Sequence, residues 1–382
     1  MNPELFFENF ELLAESPNGI QKLREMILQM AVQGKLVVQD PDDEPAEVLL
    51  ERIKAEKERL VKEKKIKKQE ELPLLDNEDV PYEIPKNWNW TYLGQIGQIV
   101  GGGTPKTNNP DYFSENEISW LTPADLYSLK KKYIGKGKRD ITEIGLKNSS
   151  TQLMPTGTVL FSSRAPIGYV AIASNDLATN QGFKSCVPFI MEMNEYIYYF
   201  LKSAVKEIEN NASGTTFKEV SGKIVSQIKF PLPPLEEQKR IVAKVDQLMA
   251  LCDQLESLQQ KKNESCIQLN NSALNKMLDA GSPEGFAEHW QLVCENFDLL
   301  YDDLDNVEKL KQAILQLAVQ GKLVEQDVRD EPAGVLFENI RNEKDAFSKI
   351  NHIKLPKFSS SLIFSHFCLS STMSHLKHST TV

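Results

Sequence analysis

The side chains that could do chemistry in this sequence are mostly cationic, and they cluster. Lys130, Lys131, Lys132, Lys136, Lys138 and Arg139 fall within ten positions, with Tyr127 and Tyr133 interleaved. That pattern suits contact with phosphate groups, and the competing reading is a solubilising loop. Covalent chemistry finds less support. The five cysteines, Cys186, Cys252, Cys266, Cys294 and Cys368, form no CxxC pair, so neither zinc-ligand spacing nor a disulfide framework is present. His289 is the only histidine outside the final segment, which leaves no material for a Ser/His/Asp or Cys/His constellation. His352, His366, His375 and His378 lie in that segment without acidic partners or helical spacing, so they do not read as a metal site. Gly101 to Pro105, GGGTP, lacks the Gly-Lys-Ser/Thr that would place a lysine on phosphates and a hydroxyl on magnesium. A tight turn between strands accounts for it better. Paired carboxylates are plentiful in helical segments but have no pocket around them.

Charge separates one part of the chain from the rest. The 382 residues carry a formal net charge of −10, which at first argues against a nucleic-acid partner. Residues 82–230, however, hold 16 Lys+Arg against 13 Asp+Glu, a net +3, so the remainder carries −13. Hydrophobic residues make up 41%, enough for a sizeable core, and the length suggests two or three domains. No apolar run is long enough to span a bilayer, and the acidic start, MNPELFFENFELLAES, is unlike a signal peptide. A cytoplasmic location is the default expectation.

The elements that would position these residues are announced by a repeat. Residues 23–57 recur as residues 310–344 at a constant offset of 287, with about two positions in three identical. Each copy reads as a helix, a Gly-ended turn at Gly34 or Gly321, a polar loop, and a second helix opening after Pro45 or Pro332. Only two copies exist, far apart, so the chain is a duplicated module and not a solenoid. The Lys-rich run at 62–68 has interleaved Glu and reads as a solvated helix face.

A Pro- and Asn-rich linker, LPLLDNEDVPYEIPKNWNW, leads into short β-like runs: YLGQIGQIV, EISWLTP, GTVLFSS, GYVAIAS and KSCVPFI. EYIYYFLKSAVKEIENN is an amphipathic helix among them. Then PLPP forces the chain extended, and one long helix is expected from there to Leu278, with Glu236 and Glu237 in its first turn. Its apolar seam, Ile241, Val245, Leu248, Cys252, Leu255, is interrupted at Gln259 and Lys262, resumes with Cys266, Leu269 and Ala273, and is coiled-coil-like. The alternative is an amphipathic helix lying on a core.

The expected fold class is α+β: a globular domain of mixed strands and helices flanked by long coiled-coil-like spacer helices. The expected division is 1–75, an N-terminal helical region; 82–230, the α+β domain; 231–280, the spacer helix; 290–350, the second repeat copy; and 351–382, an aberrant or disordered tail rich in Ser, Thr and His.

Four stretches together carry a family resemblance: IPKNWNWTYLGQIGQIVGGGTPKT, SSRAPIGYVAI, TNQGFKS and SGTTFKEVSGKIVSQIKFPLPPLEEQKRIV. In these the chain resembles the specificity (S) subunit of a type I restriction-modification enzyme, with 82–230 as its target-recognition domain. Asn109-Pro110-Asp111-Tyr112 also approaches the Asn-Pro-Pro-Tyr tetrapeptide of amino-methyltransferases, but the second proline is missing and no glycine-rich methyl-donor site accompanies it. The resemblance implies a non-catalytic subunit that reads one half of a split target in double-stranded DNA. It also implies docking to methyltransferase (M) subunits and work alongside a restriction (R) subunit. S-adenosylmethionine, ATP and Mg would then be bound by the partner subunits, and none by this chain.

A full subunit of the family has two recognition domains and this chain shows one, so it reads as a truncated form. A scaffold or decoy that binds M subunits without productive DNA recognition is the alternative. Polar residues beside Gly or Pro turns in the family-like stretches join the basic cluster as candidate DNA contacts: Lys106, Thr107, Asn108, Arg164, Asn180, Gln181, Lys184, Thr216 and Lys218. A homodimer is expected through an exposed stripe of Ile241, Val245, Leu248, Leu255 and Leu269; the competing reading is intramolecular closure, with helices 9–60 and 296–347 packed on the chain's own spacer.

Overall fold

The computed structural model describes residues 8–16, 18–68, 72–73, 75, 80–164, 166–210, 219–324 and 327–351. Thr216, Lys218 and the tail from 352 lie outside them. The chain divides into two compact units, 1–263 and 264–382, and the division falls inside the longest helix.

The first unit opens with helices α1 (Phe10–Glu15), α2 (Gly19–Val32) and α3 (Ala46–Lys62). Leu23, Ile27 and Met30 recur at helical spacing and bury one face of α2. Gly34 ends it at φ +68, with Lys35 N–H donating to Met30 O at 2.9 Å and Gly34 N–H to Ala31 O at 3.3 Å. These two bonds close the last carbonyls in the manner a left-handed glycine allows. A Cβ on Gly34 would also meet Pro85 Cγ at 2.4 Å and Trp88 at 3.2 Å, so the turn packs directly on the linker.

Strand β1 (Asn89–Tyr92), a helical turn α4 (Leu93–Ile96) and β2 (Gly97–Gly101) replace the single strand expected over YLGQIGQIV. The cause is local: Gln95 Oε1 accepts the Tyr92 N–H at 3.2 Å and so caps a turn that a strand would not form. The other expected strands are present. In chain order the domain then runs β3 (Phe113–Ser114), β4 (Ile118–Leu121), β5 (Tyr133–Ile134), β6 (Arg139–Ile141), α5 (Glu143–Lys147), β7 (Val159–Phe161), β8 (Val170–Ala173), β9 (Ala178–Thr179), β10 (Lys184–Pro188), α6 (Asn194–Asn210), α7 (Gly222–Ser226) and β11 (Lys229–Leu232).

Three sheets result. One is ordered β2-β10-β7-β8-β5, a second β3-β6-β4-β9, and β1 pairs with β11. The β4/β9 and β5/β8 pairs are parallel and the others antiparallel. The β1/β11 pair, Asn89↔Leu232 to Tyr92↔Lys229, ties the domain's entry to its exit. That closure sets Trp88 beside the start of the spacer helix α8 (Leu235–Asp279).

The 45 residues of α8 form one helix, as the absence of Gly and Pro predicts. Its first half does not present an open stripe. Ile241, Val245, Leu248 and Cys252 are buried in the same core as Leu23, Ile27, Leu49, Trp88, Tyr196 and Phe230, and Leu255 packs against it. The expectation of a seam waiting for a second chain is therefore corrected: the seam's partner is the chain's own N-terminal helices and α6.

In the second unit, α9 (Pro283–Glu295), α10 (Phe297–Leu300), α11 (Leu304–Val319) and α12 (Ala333–Asn351) accompany the end of α8. Leu274, Met277, Leu310, Ala313 and Leu317 make its small core, and Leu269 stays exposed. Tyr301 OH donates to Asn270 Oδ1 at 2.8 Å, and Lys322 Nζ binds the carbonyls of Leu278 and Ala280.

Candidate nucleic-acid interface

Gly102 and Gly103 of GGGTP serve close approach. The expected tight turn is corrected in place: Gly101 ends β2, and the turn falls at Thr107 and Asn108, past the glycines. A Cβ on Gly102 would stand 1.9 Å from Asn180 O, and one on Gly103 would stand 2.5 Å from Ser150 Oγ. Gly103 N–H donates to Thr179 O at 2.9 Å, and Trp120 Nε1–H donates to Gly103 O at 3.0 Å. Backbone-to-backbone packing thus fixes the loop bearing Lys106, Thr107 and Asn108, all exposed, against the loop bearing Asn180 and Gln181. Thr104 Oγ1 touches Gln181 Oε1 across that seam. Asn180 spends its Oδ1 on Gly182 N–H at 2.8 Å, so it shapes the loop.

Lys184 lies in β10 opposite Gly101 of β2 and joins this edge. Its Nζ is 3.6 Å from Glu219 Oε1, and the other oxygen of Glu219 is 3.1 Å from Arg164 Nε. One carboxylate therefore holds one cation from β10 and one from the segment after β7. Nothing in the sequence marked Glu219, because Arg164 lies 55 positions away and Lys184 lies 35.

The basic cluster of residues 130–139 splits. Lys132 sits at the far edge of the five-stranded sheet and is committed to carboxylates, at 3.1 Å to Glu195 and 2.9 Å to Asp246. Its ammonium also lies 4.9 Å from the Tyr199 ring centroid. It is no open phosphate contact, and this corrects its place among the DNA candidates. Lys130 and Lys132 line a cleft of about 820 Å³ with α2, α6 and α8. Lys136 donates to Glu115 O and Asn116 Oδ1, each at 3.0 Å. Arg139 lays its guanidinium 3.5 Å from the Phe113 ring centroid. Lys131, Lys138 and Arg139 remain exposed. The expected residues thus occupy three places: the β2/β10 edge, the β6 strand with its approach, and the cleft beside α8.

A polar clasp at the base of the domain is the second feature the sequence reading missed. Glu236 pairs with Lys239, as a first-turn carboxylate can, but Glu237 is buried. Trp88 Nε1–H donates to Glu237 Oε2 at 2.9 Å and Gln39 Nε2–H to Oε1 at 2.6 Å. One turn on, Arg240 makes a two-pronged bond to Asp43 at 2.9 and 2.5 Å. Burial pushes the Glu237 carboxyl above its ordinary range, against the pull of its hydrogen bonds from Trp88 and Gln39. The clasp ties repeat copy 1, the linker and the spacer helix together. Cys186 lies inside the five-stranded sheet, and burial pushes its thiol up to about 12, so it is no nucleophile near neutral pH.

Comparison with known proteins gives a consistent answer. Residues 85–264 match the family described as "Type I restriction modification DNA specificity domain". The chain is 38% identical over 352 residues to the Type I restriction enzyme EcoAI specificity subunit of Escherichia coli, covering 89% of this chain and 58% of that protein. It is 35% identical over 356 residues to the EcoEI specificity subunit of the same organism, covering 89% and 57%. The chain thus spans less than two thirds of the length of these relatives. Among solved structures it resembles an HsdS subunit from Thermoanaerobacter tengcongensis at 19% identity and TM-score 0.38, over 67% of this chain and 52% of that one.

Proposed function

We propose, from the match of residues 85–264 to the family described as "Type I restriction modification DNA specificity domain", that the chain reads DNA sequence for a type I restriction-modification complex and catalyses nothing itself. One observation of geometry carries the proposal beyond the family. The loop with Lys106, Thr107 and Asn108, the loop with Asn180 and Gln181, and the cations Lys184 and Arg164 meet at one edge of the recognition domain. Exposed amide and hydroxyl groups there match the donors and acceptors of base edges, while flanking cations match phosphates. One such domain reads one half-site. The acidic helices outside it bind methyltransferase subunits, which hold S-adenosylmethionine and supply the methylation, with the restriction subunit joining that complex.

The test is a salt titration of duplex DNA binding, by anisotropy, for the chain purified with its methyltransferase subunit. Arg164→Ala together with Lys184→Ala is expected to weaken binding and flatten the dependence of log affinity on log salt by about one unit per lost phosphate contact. Unchanged affinity and slope would place the reading surface elsewhere. Isothermal titration of the chain alone with S-adenosylmethionine is expected to show no heat of binding, and micromolar affinity would overturn the non-enzymatic reading.

A further inference from the structure

The cleft beside α8 holds more cations than its own carboxylates answer. It opens among α2, α6, α8 and the approach to β5, with a volume of about 820 Å³. Arg24, Lys130, Lys132, Lys202 and Lys206 line it, against Glu25, Asp246 and Asp253. Each of these carboxylates already has its cation. Lys206 Nζ lies 2.9 Å from Glu25, Lys132 Nζ 2.9 Å from Asp246, and the Arg24 guanidinium 2.8 Å from Asp253. Arg24 is engaged a second time, at 2.7 Å from Glu256. Among the described residues no carboxylate pairs with Lys130 or Lys202.

Lys202 is the more telling of the two. Helix α6 sets it one turn after Tyr198. Its ammonium lies 5.3 Å from the Tyr198 ring centroid and donates to the Tyr198 hydroxyl at 3.4 Å. The side chain is open to solvent, yet the cleft walls crowd its ammonium. Desolvation there, with the Arg24 charge added, holds it below the ordinary lysine range. It is a cation with neither full hydration nor a counter-charge. The rest of the lining includes an aliphatic wall, with Leu28 buried and Val205 and Met249 half-buried.

We propose that this cleft binds a phosphate dianion, free or as the monoester of a nucleotide-sized molecule, with Lys202 and Lys130 as its two counter-charges. Charge selects the ligand. A phosphate monoester carries about −1.5 to −2 near neutral pH, which two free ammonium groups balance. A carboxylate ligand is best met by a two-pronged guanidinium. Arg24 is the one arginine among the described lining residues, and it is spent on Asp253 and Glu256. Lysine instead meets phosphate as a point charge. A duplex backbone offers only singly charged diesters. The volume falls within the range of small-molecule sites, about 300–1,000 Å³, and the aliphatic wall suits an organic substituent. The cleft shares no residue with the β2/β10 edge, so the inference stands apart from the DNA reading.

The test is a calorimetric titration of the full chain at fixed ionic strength. The probes are inorganic phosphate, adenosine 5′-monophosphate, and a DNA duplex without 5′-phosphates. Saturable one-to-one binding of at least one of the two phosphates is expected. Lys202→Gln and Lys130→Gln should each weaken it about tenfold or more, as loss of a charge-assisted bond does, and leave duplex affinity unchanged. Glu25→Gln releases Lys206 into the cleft and should tighten phosphate binding, a gain that a misfolded chain cannot produce. Tighter binding of the nucleotide than of inorganic phosphate identifies an organic monoester as the occupant, and the reverse order identifies free phosphate. No saturation with either phosphate overturns the proposal. So does an affinity that ignores both lysine substitutions, or a duplex affinity that falls in step with the phosphate affinity.

Discussion

Lys132 and Lys184 carry the same charge in the same domain, and the proposed reading gives them opposite work. Lys132 bridges β5 to α6 and α8 through Glu195 and Asp246. Lys132→Ala leaves the half-buried Glu195 and the exposed Asp246 short of a cation, at a cost of about 1 kcal/mol once solvent screening is counted. It is expected to lower the melting temperature and leave the salt slope of DNA binding unchanged. Lys184→Ala is expected to flatten that slope, and a flattened slope in the Lys132 variant would refute the division. Glu237 offers a pH readout. Its carboxyl is held above the ordinary glutamate range, so the folded chain binds this proton at higher pH than the unfolded chain does. Its contribution to stability is therefore gained as pH falls through that window and lost as pH rises through it. Glu25, lowered by Lys206, runs the other way. Melts across the acid range should show a smaller pH dependence from this site in Glu237→Gln, and identical pH profiles would contradict the raised carboxyl.

Among the elements, turns and packing decide what periodicity leaves open. Gly34 combines a left-handed φ with a side-chain-free contact on Pro85 and Trp88. Gly34→Ala is expected to cost at least the roughly 1–2 kcal/mol of left-handed strain, and more for the clash, read as a lower denaturation midpoint. Gly102→Ala would drive a Cβ into Asn180 O and separate the two loops at the β2/β10 edge. DNA affinity should fall in that variant, and undiminished affinity would detach the loops from recognition. The spacer helix, the amphipathic α6 and the main strands were legible because their signals are local: long runs without Gly or Pro, 3.6-residue spacing, and β-branched runs bounded by turns. Strands β3, β5, β6 and β9 were not, since two or three residues carry no period and are held by their neighbours' registers. Which cations were free was equally hidden. Lys132 finds its carboxylates 63 and 114 positions away, a distance no spacing rule reaches. The seam of α8 was legible as apolar, and packing of the N-terminal helices on it was one of two readings; that α6 would share the cover was not legible.

For the whole molecule, the charge distribution supports the proposed DNA reading: residues 82–230 carry a net +3 within a chain of net charge −10. On that proposal, attraction to duplex falls to residues 82–230, and the acidic remainder repels stray duplex. Among the described residues no helix is long and apolar enough to cross a membrane. The central claim is that this chain selects the DNA sequence that a methyltransferase partner modifies. The most direct measurement is a genome-wide map of methylated bases in cells that express the partner methyltransferase subunit with this chain, without it, and with the loops at residues 101–108 and 179–184 exchanged for those of a relative. The account predicts one sequence motif that appears only with the chain and changes when the loops change. The same motif without the chain, or a motif untouched by the loop exchange, would contradict it.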